Sequence, residues 1–136
     1  MKKIILVESE PTQVGIYRHM LEKTDFDVEL ASGCGEMLEE LRDIRLGYSL
    51  KPDLVILDFM LADGHGIEVL KAIKKHPLTK DIPVFAVTNY VNPHNDSQIR
   101  AQGITPERYM IKAHHTPSQI LDAINEYLGP RDVNLS

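Results

Sequence analysis

PDLVILDFMLADGHGIEVL, residues 52–70, decides the architecture of this 136-residue chain. Leu54 to Leu57 are apolar without a break, whereas a strand with one wet face would alternate. Such a run suits a parallel strand covered by helices on both sides. An acid, Asp58, ends it. Beyond it the period changes: Ile67, Leu70 and Ile73 recur at helical spacing from Gly66 to His76, and Pro77 stops the helix.

Further apolar runs lie to either side: KKIILV (2–7), DVELA (27–31), PVFAVT (83–88) and RYMI (108–111). Helical segments separate them. From Pro11 to Lys23 the stripe is Val14, Tyr17 and Leu21, with Pro11 suited to a first turn. From Gly35 to Leu46 it is Met37, Leu38, Leu41 and Ile44, against an exposed face of Glu36, Glu39, Glu40, Arg42 and Asp43. Asn92 to Gln102 is a weaker helix, because Pro93, Asn95, Asp96 and Ser97 are poor formers. Thr116-Pro117-Ser118-Gln119 has capping-box spacing before Ile120, Leu121, Ile124 and Leu128, and Gly129-Pro130 ends that helix. Five such units predict an α/β fold: one doubly wound, five-stranded parallel sheet of flavodoxin-like order 2-1-3-4-5, with five helices. Residues 1–129 are expected to form a single domain, with 130–136 a short C-terminal tail.

Composition excludes several functions. A hydrophobic content of 43% suits one core in a chain of this length. The net charge of -5 comes without the clustered Lys and Arg that neutralise phosphates, so no direct nucleic-acid binding is expected. Cys34 stands alone, excluding an internal disulfide and favouring a free thiol in a reducing compartment. Ile4 to Val7 is too short an apolar run for a signal peptide or membrane span. The expectation is a cytoplasmic protein without membrane insertion. His114 and His115 are adjacent but lack further ligands, and read as surface loop.

In a doubly wound sheet, ligands sit beyond the carboxyl ends of the strands, where strands 1 and 3 send their helices to opposite faces. Here those ends carry Glu8 and Ser9, Asp58, Thr88 and Lys112. Strands 1 and 3 are neighbours in the predicted order, so Glu8 and Asp58 share a pocket and repel unless a cation or proton intervenes. Magnesium fits that requirement, since it takes oxygen ligands and works with one or two carboxylates, waters and a phosphate oxygen. A lysine and a hydroxyl at the same rim suit the other oxygens of a phosphoryl group.

With KKIILVESEP, PDLVILDFMLADGHGIEVL, IPVFAVTN and RYMIKA in this order and spacing, residues 2–128 resemble the receiver domains of two-component response regulators. The resemblance implies that Asp58 is the phosphoacceptor, Thr88 the switch hydroxyl, Lys112 the lysine that contacts the phosphoryl oxygen, and Tyr109 the switch aromatic. It also implies Mg2+ held by Glu8, Asp58 and the backbone carbonyl of Met60. The partner would be a histidine kinase or phosphotransfer protein, and a stand-alone receiver would relay the signal by contact with a downstream protein target. Such a chain is not an enzyme on a separate substrate; it assists its own phosphoryl transfer and hydrolysis.

Four positions depart from the family pattern. Ser9 stands where a second acid ligates magnesium, which implies a weakened or absent metal site unless Glu10 or the longer Glu8 compensates. Ser9 is also suited to capping the first helix. Ala62 and Ala113 replace prolines, and the second of these normally follows a cis peptide. A cis Lys112-Ala113 bond would cost about 2.5–4 kcal/mol, so that loop is either trans and repositioned or strained. Asn89 is larger than the small residue usual beside the switch threonine. These departures keep a second reading open, a phosphorylation-independent pseudo-receiver that acts as an interaction module. A flavodoxin-like cofactor binder is remote, because Glu8-Ser9-Glu10 would repel the phosphate that such a loop must hold. An Asp-nucleophile phosphatase would need a second acid two residues after Asp58, where Met60 stands.

Overall fold

Leu54 to Leu57 are at most 1% exposed, and so are Ile4 to Val7. Both runs are strands with both faces covered, as their unbroken apolarity requires. The computed structural model describes residues 1–89 and 93–129, with the backbone alone at 93–95; Asn92 and the predicted tail 130–136 lie outside the described residues. The elements in chain order are β1 (Lys3–Val7), α1 (Pro11–Leu21), β2 (Asp27–Ala31), α2 (Cys34–Leu46), β3 (Leu54–Asp58), β4 (Met60–Leu61), β5 (Gly64–His65), α3 (Gly66–Lys74), β6 (Val84–Thr88), α4 (Pro93–Gln102), β7 (Arg108–Ile111), a 3-10 turn (Lys112–His114) and α5 (Pro117–Leu128).

The main sheet runs β2-β1-β3-β6-β7, with every pairing parallel. Counting only its own strands, this is the predicted order 2-1-3-4-5. Pleating divides each strand between two cores. Ile5, Val7, Val55 and Leu57 pack with Met37 and Leu41 of α2, Leu70 and Ile73 of α3, and Ile99 of α4. Ile4, Leu6, Leu54 and Ile56 face Tyr17 and Leu21 of α1 and Ile120 and Ile124 of α5. Each fully buried aliphatic side chain contributes about 1.5–3 kcal/mol, which lets the same strands carry buried polar groups at their ends.

Local expectations differ from the structure in a few places. Leu38, predicted in the inward stripe of α2, is 42% exposed. Met37, Leu41 and partly buried Ile44 already span the face that meets the sheet, and Leu38 lies one residue round from Met37. Glu10 rather than Ser9 caps α1, accepting from Thr12 N–H and Gln13 N–H at 3.0 Å each. α4 forms despite its poor formers, with Ile99 buried as its anchor. The box on α5 is present as read: Thr116 Oγ1 accepts from Gln119 N–H at 3.1 Å, and Gln119 Oε1 accepts from Thr116 N–H at 2.8 Å.

The β4–β5 hairpin at the sheet end was not indicated by periodicity. It pairs Met60 with His65 and Leu61 with Gly64, and Gly66 N–H closes its base on the Phe59 carbonyl at 2.7 Å. A Cβ on Gly66 would lie 2.7 Å from Phe59 Cα and strike the Asp58 carbonyl as well. Only glycine lets α3 begin so close to the end of β3. Gly66→Ala should therefore destabilise the protein by about 1–3 kcal/mol in urea unfolding; an unchanged midpoint would mean that the β3–α3 connection yields without cost.

Candidate functional site

Strand register sets the site. Val7 pairs with Leu57, so the next residues, Glu8 and Asp58, end neighbouring strands at one level. Asp58 pairs with Val87 and Thr88 with Ile111, which places Thr88 and then Lys112 just beyond. β7 lies two strand spacings from β3, about 10 Å, a gap that calls for an arm of lysine length. Lys112 Nζ reaches Asp58 Oδ2 at 2.7 Å and Glu8 Oε1 at 3.2 Å. The Lys112–Ala113 peptide is trans, since no cis bond occurs among the described residues, and the chain turns away through the 3-10 turn.

All three groups are withdrawn from water: Glu8 is 1% exposed, Asp58 5% and the Lys112 side chain 10%. Every carboxylate oxygen has a donor. Asp58 Oδ1 accepts from Met60 N–H at 2.8 Å and Glu8 Oε2 from Glu10 N–H at 3.3 Å. Burial first, and then the adjacent Asp58 carboxylate, push Glu8 up to about 7, while Lys112 and Glu10 N–H pull the other way. Below this cluster lies the ring of Tyr17, with its centroid 5.9 Å from Lys112 Nζ. Burial, Glu8 and Asp58 all raise the Tyr17 hydroxyl above its ordinary value. The sequence marked Tyr17 only as a core residue, because helical spacing does not reveal what lies beneath a strand end.

A cleft of about 460 Å3 opens over the cluster, lined by Glu8, Glu10, Thr12, Gln13, Asp58, Met60, Asn89 and Lys112. Asn89 is an exposed member of that lining. Thr88 is buried beside it at the end of β6. Tyr109 lies further down β7, its ring edge-on to Phe59 at 5.6 Å, and Phe59 follows Asp58 directly. Ser9 is turned away from the cleft: its hydroxyl donates to the Ser32 carbonyl at 2.6 Å and accepts from Ala62 N–H at 3.0 Å. Glu10 lines the rim, but both of its oxygens are occupied in capping α1.

A divalent ion fits this donor set. Two carboxylates already converge on one cation, the Lys112 ammonium, and the cleft leads to them from solvent. Asp58, Glu8 and the Met60 carbonyl are the groups that would hold it. The set is lean in charge, and no cluster of three or more His, Cys, Asp or Glu suited to a metal occurs among the described residues.

Residues 4–125 match the response regulator receiver domain family. The polar-differentiation response regulator DivK of Brucella anthropi is 28% identical over 128 residues, covering 94% of this chain and 97% of the relative. Among solved structures, a CheY-like response regulator receiver domain protein from Methanospirillum hungatei superposes with a TM-score of 0.76 at 26% identity, covering 94% of both chains. The phosphorylated cyanobacterial phytochrome response regulator RcpA gives 0.77 at 28% identity, covering 93% of this chain and 92% of the other. No described helix is long and apolar enough to cross a membrane.

The position of Glu8 has a measurable consequence in metal-free protein. The folded state keeps a proton on Glu8 up to about 7, whereas the unfolded chain releases it near the ordinary glutamate value of about 4.3. This contribution to stability is therefore full below that value and is lost as pH rises through about 7. Glu10, Glu36 and Asp63 are held low by backbone N–H donors, so theirs is lost at the acid end instead. Between about pH 5 and 8 the urea midpoint should fall, and Glu8→Gln should flatten the part of the slope that Glu8 contributes. A parallel slope in the variant would remove Glu8 as its source.

Proposed function

The chain belongs to the response regulator receiver domain family, and on that footing we propose that Asp58 accepts a phosphoryl group from a histidine kinase or phosphotransfer protein. The phosphorylated chain then relays the signal by contact with a downstream protein. The observation that carries this reading is the convergence of Lys112 on Asp58 at 2.7 Å at the floor of an open cleft. A buried carboxylate with a cation on one oxygen, a backbone N–H on the other and a path to solvent is equipped as a nucleophile toward phosphorus. Phosphorylation of the 28% identical neighbour RcpA supports the same assignment.

In the transfer, an oxygen of Asp58 forms a bond to phosphorus as the donor's P–N bond breaks, and the electron pair leaves with the imidazole nitrogen. Lys112 and Met60 N–H, already on the two oxygens of Asp58, follow the charge as it spreads onto the phosphoryl oxygens. Asp58, Glu8 and the Met60 carbonyl are the groups that would hold magnesium, which would supply further compensation for that charge. Thr88, one residue beyond the level of Asp58, provides a hydroxyl for a phosphoryl oxygen. Tyr109 feels the change through Phe59, against which its ring packs. The chain acts as acceptor, not as an enzyme on a separate substrate, and the same groups assist hydrolysis.

A second reading, the phosphorylation-independent interaction module, draws support from one observation. Ser9 occupies the position of a metal-binding acid in the family pattern, yet its hydroxyl is committed to two backbone groups. Mass spectrometry after incubation with MgCl2 and a small acyl phosphate separates the two. One added phosphoryl mass is expected, absent in Asp58→Asn and formed about 100-fold more slowly in Lys112→Ala. If neither that donor nor a phosphohistidine donor protein yields an adduct, the interaction-module reading stands.

A further inference from the structure

Two of the departures from the family pattern, Ser9 and Ala62, touch each other. Ala62 N–H donates to Ser9 Oγ at 3.0 Å, across 53 residues of sequence. Proline at 62 has no N–H to give. A carboxylate at 9 could accept that bond, but it could not also donate to the Ser32 carbonyl, as the Ser9 hydroxyl does at 2.6 Å. A hydroxyl both gives and receives, so this one atom ties the tip of the β4–β5 hairpin to the β1–α1 and β2–α2 connections.

The next residue of the hairpin makes a second tie. Asp63 Oδ1 accepts from Cys34 N–H at 2.7 Å, and Oδ2 accepts from Gly35 N–H at 2.9 Å. These are first-turn donors of α2, which has no cap of its own because the N-cap residue is Gly33. A Cβ on Gly33 would stand 2.6 Å from Asp63 Oδ1. The space a side chain would fill at residue 33 thus admits the carboxylate of residue 63. Ser32 N–H and Oγ are held in turn by Glu36 at 2.9 and 2.7 Å, so the anchor of the Ser9 bond is itself fixed.

The hairpin held by these ties begins at Met60, whose N–H holds Asp58 Oδ1. We propose that Ser9, Ala62 and Asp63 are positioning residues that clamp the β4–β5 hairpin between β1 and α2 and thereby fix the orientation of the Asp58 carboxylate. Ser9 serves this role where the family pattern has a metal ligand, and its partner is the Ala62 N–H, which any residue but proline could give. The assignment rests on the phosphoacceptor reading only in its consequence for the transfer rate; the clamp itself is a property of the resting protein.

The test is a cycle of Ser9→Ala, Ala62→Pro and the double variant, with Ser9→Thr as the conservative control. Each variant is first checked for native circular dichroism. Amide hydrogen exchange at Met60 and Cys34, in metal-free protein without donor, reads the clamp. The initial phosphorylation rate with MgCl2 and a small acyl phosphate reads its consequence. Ser9→Ala should raise exchange at Met60 about fivefold or more, as expected for loss of a bond of ordinary strength, and slow phosphorylation alongside. Because both single changes remove the same bond, the double variant should do little more than the worse single, and Ser9→Thr should stay near wild type. Unchanged exchange in Ser9→Ala, or single effects that multiply in the double variant, would overturn the clamp. Raised exchange with an unaltered phosphorylation rate would overturn the positioning role. Absence of uptake by the wild type would sink the phosphoacceptor reading instead, and the exchange measurements would then decide the clamp alone.

Discussion

One ammonium between two buried carboxylates is the constraint on which the rest of this structure depends. Taking an ion out of water costs several kcal/mol, and a buried charge left without its partner is strongly destabilising. Lys112 meets that requirement for Asp58 at 2.7 Å and reaches Glu8 at 3.2 Å. They arrive from three strands, which fixes what those strands must do. β1 must lie beside β3, β7 must end close enough for a lysine arm, and all must be apolar enough below the rim to carry buried polar groups at their ends. The order β2-β1-β3-β6-β7 and the two cores flanking it satisfy these demands.

That same triad shapes what the site can do. A cleft floor with two carboxylates and one lysine is close to charge balance, and burial raises Glu8 further toward neutrality. An acid in place of Ser9 would tip the floor toward a stronger divalent site. The serine instead joins hydrogen bonds that run from Ser32 through Ser9 to Ala62, while Asp63 of the same hairpin caps α2. The site has less charge for a metal and more hydrogen bonds around the hairpin that holds its central carboxylate. Preorganisation of that kind stabilises a transition state without reorganisation at the moment of reaction.

Much of this was legible in the chain itself. The unbroken run Leu54 to Leu57 marked a strand buried on both faces, and Thr116 with Gln119 marked the start of α5. These signals are local: they depend on the period of the chain and on side chains three residues apart. Leu38 misled because α2 meets the sheet along a narrow strip, whose width is set by the sheet and not by the helix. Ser9 looked like a helix cap because it is a serine before a helical run, but Glu10 has the longer reach and takes both N–H groups. Asp63 and Gly33 carried no readable signal, since a cap supplied from 28 and 29 residues away leaves no mark in the sequence of the helix it serves.

The sequence alone determined the alternation of strands and helices, the order of the sheet and the strand ends where polar residues would gather, because hydrophobic period and chain direction suffice for these. It also named Glu8, Asp58, Thr88 and Lys112 as the residues of that rim. Only the tertiary structure decided how they are used: that Lys112 bridges both acids, that Tyr17 lies beneath them, and that Ser9 binds two loops rather than facing the cleft. The reason is physical. A hydroxyl or a carboxylate takes its role from whichever donors and acceptors stand within about 3 Å, and here those partners come from strands and loops that are far apart along the chain.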